Sequence, residues 1–167
     1  MEQFELVDIN GNKTGTIINS DKFKGPDSIP EGEYIPIVKV VIINKDKKIL
    51  LQKRSMNKSA NPGQWGLTGG KVDAGEDNLT TAIRETYEEI GIELKKEELR
   101  LLCRYNTEKA IFIIYYIEKN INIEDCKIQT EEVDELRYFS IGELEKLEKI
   151  EGKQWLEELK NNVLKYN

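Results

Sequence analysis

Apolar and polar positions change rhythm several times along this chain, and each rhythm predicts an element. Residues 4–8 (Phe4-Glu5-Leu6-Val7-Asp8) and 13–18 are short extended runs on either side of Asn10-Gly11. Both of those turn residues tolerate a positive φ, so the pattern predicts a tight β-hairpin. Residues 20–33 carry Gly25-Pro26, Pro30 and Gly32 and read as a loop. Residues 34–44 and 48–52 predict strands joined by the polar turn Lys45-Asp46-Lys47. The β-branched run from Val38 to Ile43 reads as a central strand buried on both faces.

A polar loop containing Asn61-Pro62-Gly63 spans residues 55–64. Residues 65–68 predict a short strand, after which Gly69-Gly70 and Gly75 break the chain. From Asp77 to Ile90 the apolar positions Leu79, Ala82, Ile83, Tyr87 and Ile90 recur at helical spacing. Gly91 stands where a left-handed C-cap belongs. Residues 99–105 and 110–118 predict two more strands paired across 106–109, and residues 136–139 another. Ser140-Ile141-Gly142-Glu143 is a capping-box pattern that opens a helix to Leu147. Residues 153–164 predict a C-terminal helix with Trp155, Leu156, Leu159, Val163 and Leu164 along one face. Strand runs punctuated by helices place the chain in the α/β (α+β) class, with a mixed central sheet, flanking helices and an N-terminal β-hairpin. The 167 residues suit one domain, residues 1–33 forming the hairpin and loop and residues 34–167 the sandwich core.

Composition narrows the function. The formal net charge is −6, with 38% apolar and 34% charged residues. That acidic balance argues against a nucleic-acid polymer or an anionic membrane as partner. It stays compatible with a small phosphorylated substrate whose contact is mediated by a cation. The chain has no histidine, which removes Ser-His-Asp triads, Cys-His dyads and histidine-ligated zinc. Cys103 and Cys126 form no CxxC pair, and Cys103, within an apolar run, reads as a buried small hydrophobe. Without a disulfide framework a cytoplasmic setting is expected. The acidic start Met1-Glu2-Gln3-Phe4-Glu5-Leu6 is not a signal-peptide pattern, and the apolar runs at 38–43 and 110–117 are too short to cross a bilayer.

The candidate chemistry lies between Gly70 and Ile92. On the predicted helix, Glu85, Glu88 and Glu89 stand at i, i+3 and i+4, so the three carboxylates share a face. Carboxylates crowded in this way repel one another, and hard divalent cations such as Mg²⁺ or Mn²⁺ bind through such oxygens. An acidic helical stripe is also compatible with a plain solvated face, so the three glutamates alone leave both readings open. The longer pattern is more specific. Gly70-Lys71-Val72-Asp73-Ala74-Gly75-Glu76 is followed, seven residues after Glu76, by Arg84-Glu85-Thr86-Tyr87-Glu88-Glu89-Ile90-Gly91-Ile92.

This segment resembles the Nudix box, and the chain is similar to Nudix hydrolases of the MutT-like kind, whose fold is an α/β/α sandwich. Thr86 departs from the aliphatic residue usual there, but Thr is nearly isosteric with Val and packing is expected to survive. The resemblance implies a hydrolase that cleaves the phosphoanhydride bond of a nucleoside diphosphate linked to another moiety, by water attack at phosphorus. It implies divalent metal, Mg²⁺ or Mn²⁺, on Glu85, Glu88 and Glu89, with the carbonyl of Gly69 or Gly70 completing the site. Arg84 is expected to orient the glutamates, the alternative being a surface pair with Glu88. Glu76 and Gly91 support the loop–helix junction and the helix end. Glu85 is the candidate base, and Glu131 or Glu132 are extra candidates that also read as solvated loop charges. Trp65, Tyr34 and Tyr105 could stack on a ring or belong to the core. The substrate is expected to be a small nucleotide-like diphosphate, and a homodimer is allowed.

Two other functions stay open at this point. One is a nucleotide sensor that binds without cutting. The other follows from the hairpin and Leu50-Leu51-Gln52-Lys53-Arg54-Ser55, which are also similar to Nudix-fold isopentenyl-diphosphate isomerases. Those enzymes typically use a Cys near the box glycines and histidine ligands, whereas Gly66-Leu67-Thr68-Gly69-Gly70-Lys71 offers neither.

Overall fold

The computed structural model describes residues 2–164 of the chain. Strands β1 (Gln3–Val7) and β2 (Lys13–Asn19) form the expected antiparallel hairpin. Asp8 organises its turn: Oδ1 accepts from the amides of Asn10 and Asn12, each at 2.9 Å. Gly11 takes a φ of +86° there, open to glycine at little cost.

The second sheet has seven strands around β3 (Ile35–Ile43). Along one edge β3 pairs in parallel with β8 (Ala110–Glu118), from Ile35↔Ala110 to Ile43↔Glu118, and β7 (Arg100–Asn106) pairs antiparallel beyond it. Along the other edge β3 meets β4 (Ile49–Arg54) only at the register pair Ile43↔Ile49. Further along, β5 (Trp65–Gly66) pairs with β4 and β6 (Thr68–Lys71) pairs with β3, filling the gap between them. Strand β9 (Val133–Phe139) closes the far edge of β4. The sheet is therefore mixed.

Period-two alternation along β3 builds both layers of the core. Val38, Val40 and Ile42 pack in the cluster that holds Ala82 and Ile90 of α1 (Asn78–Ile90). Val41 and Ile43 pack in the cluster that holds Leu144 of α2 (Ile141–Lys146) and Trp155, Leu156 and Leu159 of α3 (Gln154–Asn162). Each fully buried Val or Ile of this strand contributes on the order of 1.5–3 kcal/mol. A third, smaller cluster joins Phe4 and Leu6 of the hairpin to Ile29 and Ile35. Residues 20–33 are thus a structured connection, with 3-10 turns at Ser20–Lys22 and Pro26–Ser28.

Several expectations need correction. The single strand at 65–68 is two strands separated by Leu67, and Gly69 and Gly70 lie inside β6 instead of breaking the chain. The reason is a close approach to β3: a Cβ on Gly69 would stand 2.0 Å from the Val38 carbonyl oxygen. Tyr87, grouped with the apolar face of the helix, is exposed. Cys103 is only partly buried against the second cluster, although burial still pushes its thiol up to about 11. Thr86 behaves as expected: it is fully buried, with its hydroxyl donating to the Ala82 carbonyl at 2.8 Å.

Candidate active site

Helix α1 begins at the N-cap Asp77, whose side chain accepts from the Thr80 amide at 2.7 Å. It ends at Gly91, which is left-handed with φ +74°. A Cβ there would stand 2.8 Å from Lys127 Cβ, because residues 127–129 fold back on the helix end. The amides of Lys127 and Gln129 donate to the carbonyls of Ile90 and Glu89. Helix direction and position are thus fixed at both ends before any of its carboxylates is considered.

Arg84 is the hub of the segment. Its Nε and Nη2 donate to the two oxygens of Glu76 at 2.7 and 3.0 Å, a bidentate pair. Its Nη1 donates to Glu85 at 3.1 Å and to Glu88 at 3.2 Å, and Asp73 lies 3.3 Å from Nη2. The i, i+4 contact with Glu88 therefore exists inside a larger network, and the surface-pair reading of Arg84 is too small. Hydrogen bonding to Arg84 holds the Glu76 carboxyl below its ordinary range, and Glu76 also accepts from Thr81 at 2.7 Å.

The three glutamates line one cleft of about 400 Å³ but occupy different surroundings. Glu88 is the most open, with its side chain 49% exposed. Glu85 lies against Gly70, where a Cβ would stand 2.5 Å from its Oε1, so glycine makes the space that this carboxylate fills. Desolvation pushes the Glu85 carboxyl up, opposed by the Arg84 charge. Glu89 is buried at the cleft floor. Its Oε1 accepts from the Gly69 amide at 2.8 Å and its Oε2 from Gln52 Nε2 at 2.9 Å. Burial pushes this carboxyl up to about 7, against the opposing charge of Lys39.

The donor set fits a hard divalent cation. It contains only oxygens, the glycines leave room beside Glu85, and desolvation makes uncompensated ionised carboxylates unfavourable here. As the side chains stand, no three acidic groups among the described residues converge closely enough to hold an ion. Arg84 draws Glu85 and Glu88 aside while Glu89 turns to Gly69 and Gln52, so binding an ion requires Glu85 and Glu88 to rotate.

The remaining candidates separate. Glu132 lines the cleft and accepts from Lys58 Nζ at 2.9 Å, whereas Glu131 is exposed and absent from the cleft wall. Trp65 is core, packed edge-to-face on Phe139 at 4.9 Å under the Arg137 guanidinium. Tyr34 packs on the first core cluster. Tyr105 is stacked on Phe112 at 5.0 Å. Among the cleft residues that escape sequence reasoning are Gln52, Lys39, Lys58 and Glu151. Lys39 left a signal as the lone charged position in the apolar run of β3, whereas Gln52 opens the polar end of β4, Gln52-Lys53-Arg54, where nothing local sets it apart from its neighbours.

With this geometry in place, comparison with known proteins assigns the family. A profile of the NUDIX domain matches residues 33–159. Over 149 residues the chain is 32% identical to an uncharacterized Nudix hydrolase of Listeria monocytogenes, covering 88% of this chain and 85% of that protein. A shorter match, 34% identical over 89 residues, is to an isopentenyl-diphosphate Delta-isomerase of Streptomyces avermitilis and covers 53% of this chain and 43% of that one. In fold, a crystal structure of a Deinococcus radiodurans protein superimposes with a TM-score of 0.72 at 19% identity, over 94% of this chain and 97% of the other. The profile and the Listeria relative span the core, both flanking layers and the box, and on them the chain belongs to the Nudix family as a Nudix hydrolase.

Proposed function

We propose that this Nudix phosphoanhydride hydrolase acts as one domain on a small nucleoside diphosphate linked to another moiety, with Mg²⁺ or Mn²⁺ held by Glu85, Glu88 and Glu89 and a carbonyl of Gly69 or Gly70. The observation that carries the reading is that these three glutamates line one cleft together with Gly69 and Gly70 of β6. When bound, the cation supplies charge neutralisation at the phosphate oxygens and acidifies water. The chain's own residues do the rest. Arg84, itself held by Glu76, is a fixed cationic anchor beside Glu85 and Glu88, from which the two carboxylates turn toward the cation. Gln52 and the Gly69 amide fix Glu89. Glu85 takes up the proton of the attacking water. Lys39 and Lys58, which also line the cleft, place positive charge where a diphosphate lies.

The isomerase reading is disfavoured by the absence of any histidine and of any cysteine from residues 66–71. No helix among the described residues is long and apolar enough to cross a membrane. A hydrolysis screen tests the function: ADP-ribose, NADH, dinucleoside polyphosphates, oxidised dNTPs and nucleotide sugars, each with Mg²⁺ and with Mn²⁺. Turnover of at least one, abolished by excess EDTA and restored by added cation, is expected. Full turnover in EDTA overturns the metal assignment, and no turnover across the panel overturns the substrate class.

A further inference from the structure

A shallow crevice opens off the main cleft, and the two share Lys39, Leu67 and Glu151. Its other walls are mostly aromatic: Tyr105 and Phe112, stacked at 5.0 Å with their planes 14° apart, and Trp155, with Ile114 beside them. Its free space is only about 10 Å³, too little to take a ring inside, so a flat ligand would have to lie over its mouth.

Glu151 sits at the junction, and its backbone is fixed. Its amide donates to the Trp65 carbonyl at 2.8 Å, and the Trp65 amide donates to Lys149, so the segment runs as a short parallel bridge beside β5. Trp155 Nε1 donates to the Gly152 carbonyl at 3.0 Å and pins the turn that follows. The Glu151 side chain, about half exposed, lies over Gly66, where a Cβ would stand 2.8 Å from its Oε2. Glycine at position 66 is what lets the carboxylate lie there. Lys39 Nζ approaches the other oxygen, Oε1, at 3.5 Å. A carboxylate oxygen has two acceptor lone pairs, so Oε1 can serve Lys39 and a ligand together.

We propose that Glu151, with the Tyr105–Phe112 stack, reads the base of the substrate and selects a guanine-type ring. This rests on the phosphoanhydride reading above and names its substrate class. A carboxylate is an acceptor-only group, and it is matched by two adjacent N–H donors on one edge of a ring. Guanine presents such a pair, N1–H and the 2-amino group. Adenine, cytosine and uracil each interleave an acceptor with their donors and leave one Glu151 oxygen facing a lone pair. The aromatic walls favour a flat ring over a sugar diol, because base–aromatic stacking is available whatever the base.

The test is calorimetric titration of GDP and of ADP with Mg²⁺ into the wild type, Glu151→Gln and Tyr105→Leu, alongside hydrolysis of guanosine- and adenosine-diphosphate sugars. The wild type should bind GDP at least about tenfold more tightly than ADP, the scale of a good bidentate base contact. Glu151→Gln, which offers one donor and one acceptor, should lose that preference or turn it toward ADP. Tyr105→Leu should weaken both nucleotides by a similar factor and keep their ratio. Equal binding of GDP and ADP by the wild type, as expected if Glu151 held a ribose diol, overturns the proposal. So does a ratio that Glu151→Gln leaves unchanged. The binding ratio decides the base subsite even if no sugar nucleotide is cleaved, whereas absent hydrolysis of every phosphoanhydride counts against the catalytic reading instead.

Discussion

Glu89→Gln should stabilise the metal-free protein at pH 8 and change it little at pH 5. Burial raises the Glu89 carboxyl from 4.5 to about 7. Between those values the folded chain keeps a proton that the unfolded chain has released, so stability falls as pH rises through this window and is flat above it. At roughly 1.4 kcal/mol for each tenfold change in proton affinity, the ionised carboxylate costs the folded state about 3 kcal/mol above pH 7. The neutral amide removes that cost. It can also be accommodated: its oxygen accepts from the Gly69 amide, and its nitrogen donates to Gln52 once the Gln52 amide flips, with the Thr68 hydroxyl, now 3.2 Å from Gln52 Oε1, turning to accept. For a chain of this size about 3 kcal/mol corresponds to roughly 6–12 °C in Tm. The assay is thermal unfolding of both proteins in EDTA at half-unit steps from pH 5 to 8.5. Glu85 is also raised, but it is present in both proteins and largely cancels in the difference. Millimolar Mg²⁺ should then raise the wild-type Tm at pH 8 and leave the variant nearly where it was. Parallel curves in EDTA, or a variant that melts lower at pH 8, would refute the reasoning.

Gly70→Ala should displace Glu85 and lower kcat by about 10–100-fold with a Tm within a few degrees of wild type, because the new methyl meets the end of a movable side chain. Gly69→Ala should instead cost about 3 kcal/mol or more and yield little folded protein, since its methyl meets the Val38 carbonyl oxygen in the backbone of the central strand. Arg84→Lys should lose about 2 kcal/mol and at least tenfold in kcat, because an ammonium cannot hold Glu76 bidentately and reach Glu85 and Glu88 as well. In that variant acid unfolding should also be less steep below pH 4.5. The lowered Glu76 pKa contributes stability that is present above 4.5 and lost as pH falls, and this contribution depends on Arg84. Circular dichroism from pH 2 to 6 measures that slope.

The layers and the site helix were legible because their signals are local. Helical spacing and the Gly91 C-cap mark α1, and the run Val38 to Ile43 marks the strand buried on both faces. The split between β5 and β6 was not legible. Gly69-Gly70 is a breaker by local propensity, and only the approach of β6 to the β3 backbone makes glycine a strand residue there. For the site, the pattern from Gly70 to Ile92 marked the acidic face but not its inequality. Glu85, Glu88 and Glu89 look alike in a helical projection, yet one is exposed and one is buried against Gln52 from a strand 37 residues earlier in the chain. Glu151 lies outside the box in a short turn, and its place beside Lys39 comes from pairing with Trp65, about half the chain earlier.

The N-terminal hairpin carries a practical consequence for anyone cutting this chain. The family profile begins at residue 33, but the wall of the cleft does not: Glu2, Phe4 and Ser20 line it. The hairpin is sewn to the box loop by the Ala74 amide on the Gln3 carbonyl and by the Phe4↔Asp73 bridge, and to the edge strand by Arg104, which donates to the carbonyls of Ile9 and Asn10. Phe4 and Phe23 also flank the Lys71 ammonium, at 5.1 and 5.0 Å from their ring centres. The span that identifies the family and the span that walls the cleft are therefore different lengths of polypeptide. A fragment trimmed to the first would keep every box residue while losing one side of the vessel in which they work.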